Sequence, residues 1–247
     1  MLIQNKYELI EQIGSGSFSN VYKAKHYSKD NFVAIKFDHD EYSKMLIQNE
    51  INVYLSLLKK ETTSFVNIKS FGVIDKRNYI VMDYISCNLE TYVKQGKENK
   101  PSQFTPLFVF EKLASVVSKL HNCGYVHRDL KPDNILVKNN EIYLIDLGFS
   151  TKISNKDYNK RIGSILFSSY NTHLEKYNYR KKDDLVSCFY IVCYLFGKRE
   201  LPWNNLNINC ESEDKILYHL KKYTDYKIYY KDKNISILLK GPTFRFS

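Results

Sequence analysis

Eight residues constrain this chain more than any other stretch: His127-Arg128-Asp129-Leu130-Lys131-Pro132-Asp133-Asn134. They place an aspartate, a lysine and an asparagine at offsets of zero, two and five. A second aspartate, Asp146, closes the apolar run Ile142-Tyr143-Leu144-Ile145 just downstream. Moving a phosphoryl group onto a hydroxyl needs an acceptor for the hydroxyl proton, a cation near the moving group and oxygen ligands for a metal. These four side chains are such a set. A polar loop that matches by chance is the rival explanation. It weakens because further parts of the same chemistry stand upstream, in order.

The first is Gly14-Ser15-Gly16-Ser17-Phe18-Ser19, between two strand-like runs. Without a Cβ, glycine lets backbone N–H groups approach a phosphate closely. A strand–turn–strand setting favours a hairpin that covers phosphates over a dinucleotide fold. Taken alone, a Gly-Ser hairpin turn is the commoner explanation. The second is Val33-Ala34-Ile35-Lys36, an apolar strand that ends on a lysine. A lysine there is costly unless it meets anions. Glu50 is the best carboxylate for it, three residues after Ile47 and four before Tyr54 at the edge of an apolar helical face.

Between these landmarks the pattern divides. Tyr7–Ile10, Val21–Lys25 and Phe32–Lys36 alternate like an antiparallel meander, and Ser70–Ile74 and Tyr79–Asp83 read as two more strands. Met45–Leu58 switches to helical spacing through Ile47, Ile51, Tyr54 or Leu55, and Leu58, with Ser43 as its cap. Residues 94–103 read as a polar loop. Thr105-Pro106 then starts a helix whose stripe is Phe110, Leu113, Val117 and Leu120, closed by Gly124. Short strands are expected at Ile135–Val137 and Glu141–Ile145, and a buried helix over Leu185–Phe196 ending at Gly197. Beyond Cys210 the chain is rich in Lys and Tyr and gives no clear pattern. The expectation is an α+β fold: a small β-rich lobe with one helix, then a larger, mainly helical lobe, with a cleft between them.

Composition sets outer bounds. The 247 residues carry a net charge of +10, which suits acidic partners but by itself says little. Met1–Ile10 lacks the basic-then-apolar pattern of a secretory leader, and Leu185–Phe196 is too short to span a bilayer. An intracellular protein without a membrane segment is expected. The five cysteines, Cys87, Cys123, Cys188, Cys193 and Cys210, form no C-x-x-C pair, so buried free thiols are expected rather than disulfides or zinc. Nothing beyond charge points to nucleic acid, because no recognition motif accompanies it.

The eight-residue stretch followed by Asp146-Leu147-Gly148 resembles the H-R-D-x-K-x-x-N and D-F-G elements of eukaryotic protein kinases, and Val33–Lys36 resembles their V-A-I-K strand. The chain is further similar to the casein kinase 1 family from about Tyr7 to Leu206. Gly163-Ser164-Ile165-Leu166-Phe167-Ser168-Ser169-Tyr170-Asn171-Thr172-His173-Leu174 resembles that family's G-T-A-R-Y-A-S-I-N-T-H-L, and no A-P-E element is present. Arg180–Leu185 resembles R-R-D-D-L, Leu201-Pro202-Trp203 resembles L-P-W, and Val81–Tyr84 resembles the V-M-D-L hinge.

The resemblance implies a two-lobe kinase domain over 1–247, with the small lobe and hinge over about 1–85 and the helical lobe over about 86–247. It implies transfer of the γ-phosphoryl group of ATP to Ser or Thr of protein substrates, acidic or already phosphorylated, by a monomer in nucleus or cytoplasm. Asp129 is then the proton acceptor, Lys131 the cation on the phosphoryl group, and Asn134 a third catalytic side chain. Asn134 and Asp146 would hold Mg2+. ATP would lie against Ile13, Gly14, Ser15, Gly16, Ser17, Phe18, Ser19, Val21, Ala34 and Lys36, with Glu50 holding the lysine and Met82, Asp83, Tyr84 and Ile85 forming the hinge. Asp184 would anchor the loop around Asp129. Four features depart from the pattern. Ser19 replaces the third glycine and Leu147 the usual Phe, the 146–163 segment is short, and the helical lobe is expected to be shortened at its C-terminus. An ATP-binding scaffold with little transfer is the alternative these departures suggest.

Overall fold

The computed structural model describes residues 2–60, 64–99, 105–153, 162–174, 177–197, 199–204 and 211–223. Its strands are β1 (Leu2–Ile3), β2 (Tyr7–Ser15), β3 (Ser19–His26), β4 (Phe32–Asp38), β5 (Ile68–Ile74), β6 (Arg77–Asp83), β7 (Tyr125–Val126), β8 (Ile135–Lys138), β9 (Glu141–Leu144) and β10 (Thr151–Lys152). Its helices are α1 (Glu41–Leu58), α2 (Leu89–Asn99), α3 (Pro106–Asn122), α4 (Lys181–Phe196) and α5 (Glu211–Tyr223). The chain divides into two compact units, 1–87 with 136–150, and 88–135 with 151–247. Among the described residues, no helix is long and apolar enough to cross a membrane.

The first unit is built on an antiparallel sheet in the order β1-β2-β3-β4-β6-β5. The expected meander holds over β2, β3 and β4. After β4 the chain leaves for α1 and returns at the edge as β5, so β6 fills the place beside β4. Central β4 is buried from Val33 to Asp38, as its run of apolar residues requires. Ile3, Tyr7, Ala24, Val33, Ile35, Phe37, Tyr79 and Val81 pack into one core.

Helix α1 starts four residues before the expected Met45. Its N-cap is Asp40, whose carboxylate accepts from the Ser43 N–H (2.8 Å), while Ser43 Oγ accepts from the Asp40 N–H (2.7 Å). Ser43 is therefore the third helical residue of a reciprocal capping box and not the cap itself. The buried face runs through Ile47, Ile51, Tyr54 and Leu57, whereas Leu55 and Leu58 are exposed. An i+3 step from Tyr54 to Leu57 keeps the stripe on the sheet; Leu58 is the last residue of the helix and stays exposed.

In the second unit the expected polar loop is in part helix. α2 runs to Asn99 and buries Leu89 and Val93, four residues apart, beneath an otherwise polar surface. Its short apolar stripe was outweighed by Lys, Gln, Gly and Asn. Helix α3 is capped by Thr105 Oγ1, which accepts from the Phe108 N–H (3.2 Å), with Pro106 in the first turn. It buries Phe110, Leu113, Val117 and Leu120, and Gly124 follows at φ +90°, a left-handed stop. Helix α4 is buried nearly all round, packs against α3, and begins at Lys181, earlier than its apolar run suggests. Cys188 and Cys193 are buried there as free thiols, Cys87 and Cys123 are half-buried, and Cys210 lies outside the described residues.

Candidate active site

Each unit organises its own set of the expected residues. In the first, β2 and β3 form the hairpin that carries the glycine loop, with Gly14 opposite Val21 and the Gly16 N–H donating to Ser19 O (3.0 Å). A Cβ on Gly14 would make ordinary contact with Val21, and one on Gly16 would reach only Ser19 O at 4.0 Å. The hairpin has room at both positions, so these glycines suit a group that approaches the backbone. Ile13, Ser15 and Ser17 lie on the same hairpin. Phe18 at its tip packs edge-on against Tyr42 of α1 and Phe149, with ring centroids 5.7 and 5.5 Å away. Ala34 on β4 pairs with Met82 on β6, and both are buried; Asp83, Tyr84 and Ile85 continue half-buried. Asp83 pairs with Lys69 (2.8 Å).

The strongest electrostatic feature of this unit is Lys36. Its Nζ lies 2.7 Å from Glu50 Oε2 and 2.7 Å from Asp146 Oδ1. Burial alone would lower the lysine pKa, but the two carboxylates more than offset it and hold the ammonium above its usual range. Glu50, 1% exposed, is pushed upward by burial and by the Asp146 charge. The Lys36 ammonium and the Leu147 N–H (3.3 Å) pull it back toward the ion. Asp146 sits at φ +61°, a left-handed position that aims its half-exposed carboxylate at Lys36. Leu147 is fully buried and thus fills an apolar site in the core. A Cβ on Gly148 would press within 3.2 Å of Leu46 O, so this glycine permits the close approach to α1.

In the second unit, Asp129 is buried and held at both oxygens. Oδ1 accepts from the Ser164 N–H (2.7 Å); Oδ2 lies 3.3 Å from Lys131 Nζ and 3.3 Å from Asn134 Nδ2. Asn134 Nδ2 also donates to Asp129 O (2.9 Å), which leaves the amide oxygen as its ligating atom. Arg128 is left-handed at φ +75°, uncommon outside glycine and characteristic of a backbone held by its surroundings. The holder is Asp184, 0% exposed. Its carboxylate accepts from the N–H groups of His127 (2.9 Å) and Arg128 (3.1 Å), from Tyr179 OH (2.9 Å), and lies 2.8 Å from His121 Nε2. Burial would raise its pKa, but hydrogen bonding and charge from His121 and His127 prevail and hold it below the usual carboxylate range. The N-cap position of α4 is Arg180, whose N–H donates to Asp183 Oδ2 (2.8 Å), so Asp184 is free of that duty.

Asp183 ties this helix to the 163–174 segment. It takes Asn171 Nδ2 (3.2 Å), Tyr177 OH (2.8 Å) and the Arg180 N–H (2.8 Å). Burial raises its pKa, against the hydrogen bonds, including that from Ser169. The S-x-N-T-H-L and D-D-L motifs, separate in sequence, thus interlock through one carboxylate. Arg180, Lys181 and Lys182, the basic cluster that the family resemblance sets beside a substrate groove, are exposed, with Arg180 over the Tyr177 ring; Lys160 and Arg161, which the same resemblance sets on its other side, lie outside the described residues.

Sequence reading missed His121, Tyr179 and Gly163. His121 was readable as the i+4 continuation of Val117 on the buried face of α3. Gly163 sits at φ +87°, and a Cβ there would lie 2.5 Å from Arg128 O and 2.9 Å from Asp129 Oδ1. Gly163→Ala is expected to displace Ser164 from the carboxylate and lower turnover about tenfold or more. ATP affinity should hold; parallel kinetics and calorimetry measure the two.

A lysine held by two carboxylates and a buried Asp-Lys-Asn cluster are the side chains that the sequence led one to expect of a two-lobe kinase fold. The sequence matches the family model for the protein kinase domain over residues 7–239, and the chain belongs to that family. It is thereby a protein kinase domain, a class that uses ATP with a divalent metal and acts on proteins. Among the described residues no three His, Cys, Asp or Glu cluster as a metal site. The metal-binding residues expected from the sequence offer one oxygen each, the Asp146 carboxylate in the first unit and the Asn134 amide oxygen in the second. Such a set suits Mg2+, which is bound by few protein oxygens together with substrate phosphates.

Proposed function

We propose that the chain is a serine/threonine kinase of the casein kinase 1 type, with one catalytic domain over 1–247, working as a monomer in the nucleus or cytoplasm. The observation that carries the family assignment is the interlock at Asp183, which gives the S-x-N-T-H-L and D-D-L residues a joint structural reason. In the proposed reaction the substrate hydroxyl oxygen bonds to the γ-phosphorus, the bond to the β–γ bridging oxygen breaks, and ADP leaves. Asp129 takes the hydroxyl proton, and Lys131 compensates charge on the transferred group. Lys36, fixed by Glu50, aligns the phosphates under the 14–19 hairpin, and Ala34 and residues 82–85 hold the adenine. Mg2+, held by Asn134 and Asp146, would neutralise phosphate charge.

The exposed Arg180, Lys181 and Lys182 support a preference for acidic or phosphorylated sequences ahead of the acceptor. A guanidinium grips a carboxylate or phosphate bidentately, and lysines add point charge. A peptide carrying phosphoserine or Asp before the acceptor is expected to show higher kcat/KM than a neutral one. The gap should narrow with salt, since exposed charges are screened over ~8 Å at physiological ionic strength. Arg180→Ala should narrow it mainly through KM. Equal kcat/KM for both peptides at low salt would remove this role for the cluster.

The direct test of the whole reading is purified protein with radiolabelled ATP, magnesium and casein, followed by phosphoamino-acid analysis. Label in tyrosine, or none, rules the reading out. Ser19 at the third glycine position favours one second reading, an ATP-binding scaffold. Calorimetry showing ATP binding without any transfer would establish it.

A further inference from the structure

We propose that Lys221 of α5 is a positioning residue for phosphoryl transfer: it holds the turn 164–168 whose first N–H orients the Asp129 carboxylate. This rests on the kinase reading above. Lys221 lies four residues after the buried Leu217, on the inner side of α5, and is 1% exposed. Its Nζ donates to Ile165 O (2.6 Å) and Ser168 O (2.7 Å), and lies 3.3 Å from Ser168 Oγ and 3.1 Å from His173 Nε2. The rings of Trp203 and Tyr190 stand 5.3 and 5.7 Å from it.

Burying an ammonium is costly unless its three N–H groups are satisfied. Here two main-chain carbonyls make the shortest contacts, and aromatic faces add favourable electrostatics. The cation spends its donors on backbone, and backbone carbonyls carry no side-chain identity. What it fixes is therefore the path of the chain. The turn is closed by the Ser168 N–H on Ser164 O (3.0 Å) and is held again by the Trp203 indole N–H on Leu166 O (2.8 Å). Its leading residue, Ser164, donates its N–H to Asp129 Oδ1 at 2.7 Å. A continuous line of hydrogen bonds and short backbone thus runs from a helix near the end of the described chain to the proton acceptor. Loss of the ammonium would orphan two carbonyls and let the turn shift, and a displacement of about 1 Å at a reacting group can cost ~100-fold in rate.

The test compares Lys221→Met and Lys221→Gln with Lys222→Met, whose lysine is exposed and bonded to Tyr218 OH (2.8 Å). On a peptide substrate, Lys221→Met should lose about tenfold or more in kcat with an unchanged KM for ATP. Lys221→Gln, which keeps an amide donor, should lose less, and Lys222→Met should match the wild type. Hydrogen exchange at the Ser164 and Ser168 amides should accelerate in Lys221→Met while α3 amides hold their rates. If Lys221→Met does not fold, Lys221→Gln carries both measurements, with the same directions expected. Wild-type kcat in the Lys221 variants, or equal acceleration of exchange in α3 and the turn, would overturn the role of Lys221 alone. An inactive wild-type protein would instead overturn the kinase reading beneath it.

Discussion

Asp129→Asn is expected to lower turnover on a peptide by at least ~100-fold, the range over which a positioned general base contributes. The substitution is nearly isosteric, so the Asp184 scaffold under His127 and Arg128 should survive, and unfolding temperature should change little. What changes is chemistry. Asp129 is held by three donors, the Ser164 N–H, Lys131 Nζ and Asn134 Nδ2. An amide turns one acceptor oxygen into a donor that faces one of them and cannot take the hydroxyl proton. ATP affinity should remain near the wild-type value. Retention of wild-type turnover would remove Asp129 from the reaction.

Lys36→Met should be the most damaging change in the first unit. It deletes the cation between Glu50 and Asp146 while keeping the stem's apolar bulk. Glu50 is then buried without its counter-charge, and removing one partner of a buried ion pair costs about 3–5 kcal/mol. Part of this will be relieved, because burial and Asp146 already push Glu50 toward its neutral form, and protonation is the available escape. Stability of the variant should therefore recover as pH is lowered toward the carboxylate range, and more steeply than that of the wild type, in which the Lys36 ammonium pulls Glu50 back toward the ion. Denaturant unfolding across pH measures this. In kinetics, kcat should fall far more than adenine binding, because in the proposed reaction the lysine aligns phosphates. A variant with wild-type kcat would show that Lys36 serves only the fold.

Much of this was legible in the sequence because the chemistry is carried by short contiguous strings. The Asp129-Lys131-Asn134 spacing is met within one loop, and the Lys36–Glu50 pair needed only a strand end and the next helix. Fold elements with strong local signals were equally clear, such as α3 with its Thr105-Pro106 start. Three kinds of information were hidden. Sheet order depends on where β5 and β6 pair after α1, which alternation alone does not encode. Boundaries set by caps shifted by a few residues, as at Asp40 and Lys181. Contacts distant in sequence, such as Ser164 to Asp129, His121 to Asp184 and Lys221 to Ser168, have no periodic signature; each looks like an ordinary polar residue until the chain is folded. α2 failed for a different reason: two buried residues were too few to outvote its polar composition.

Asn49 and Glu50, neighbours on α1, reach into the same short segment. Asn49 Nδ2 donates to Gly148 O and Ser150 O, both at 2.8 Å, and Glu50 Oε1 accepts the Leu147 N–H. The helix thus carries a template for the backbone just after Asp146. Position of the helix and position of the Asp146 carboxylate become a single degree of freedom. Thermodynamic reciprocity then applies: a ligand that favours one placement of Asp146 favours one placement of α1 by the same free energy, and a partner that prefers one placement of α1 alters affinity at the carboxylate in equal measure. The outer face of α1, with its exposed Met45 and Leu55, is in this sense a remote handle on the Asp146 carboxylate.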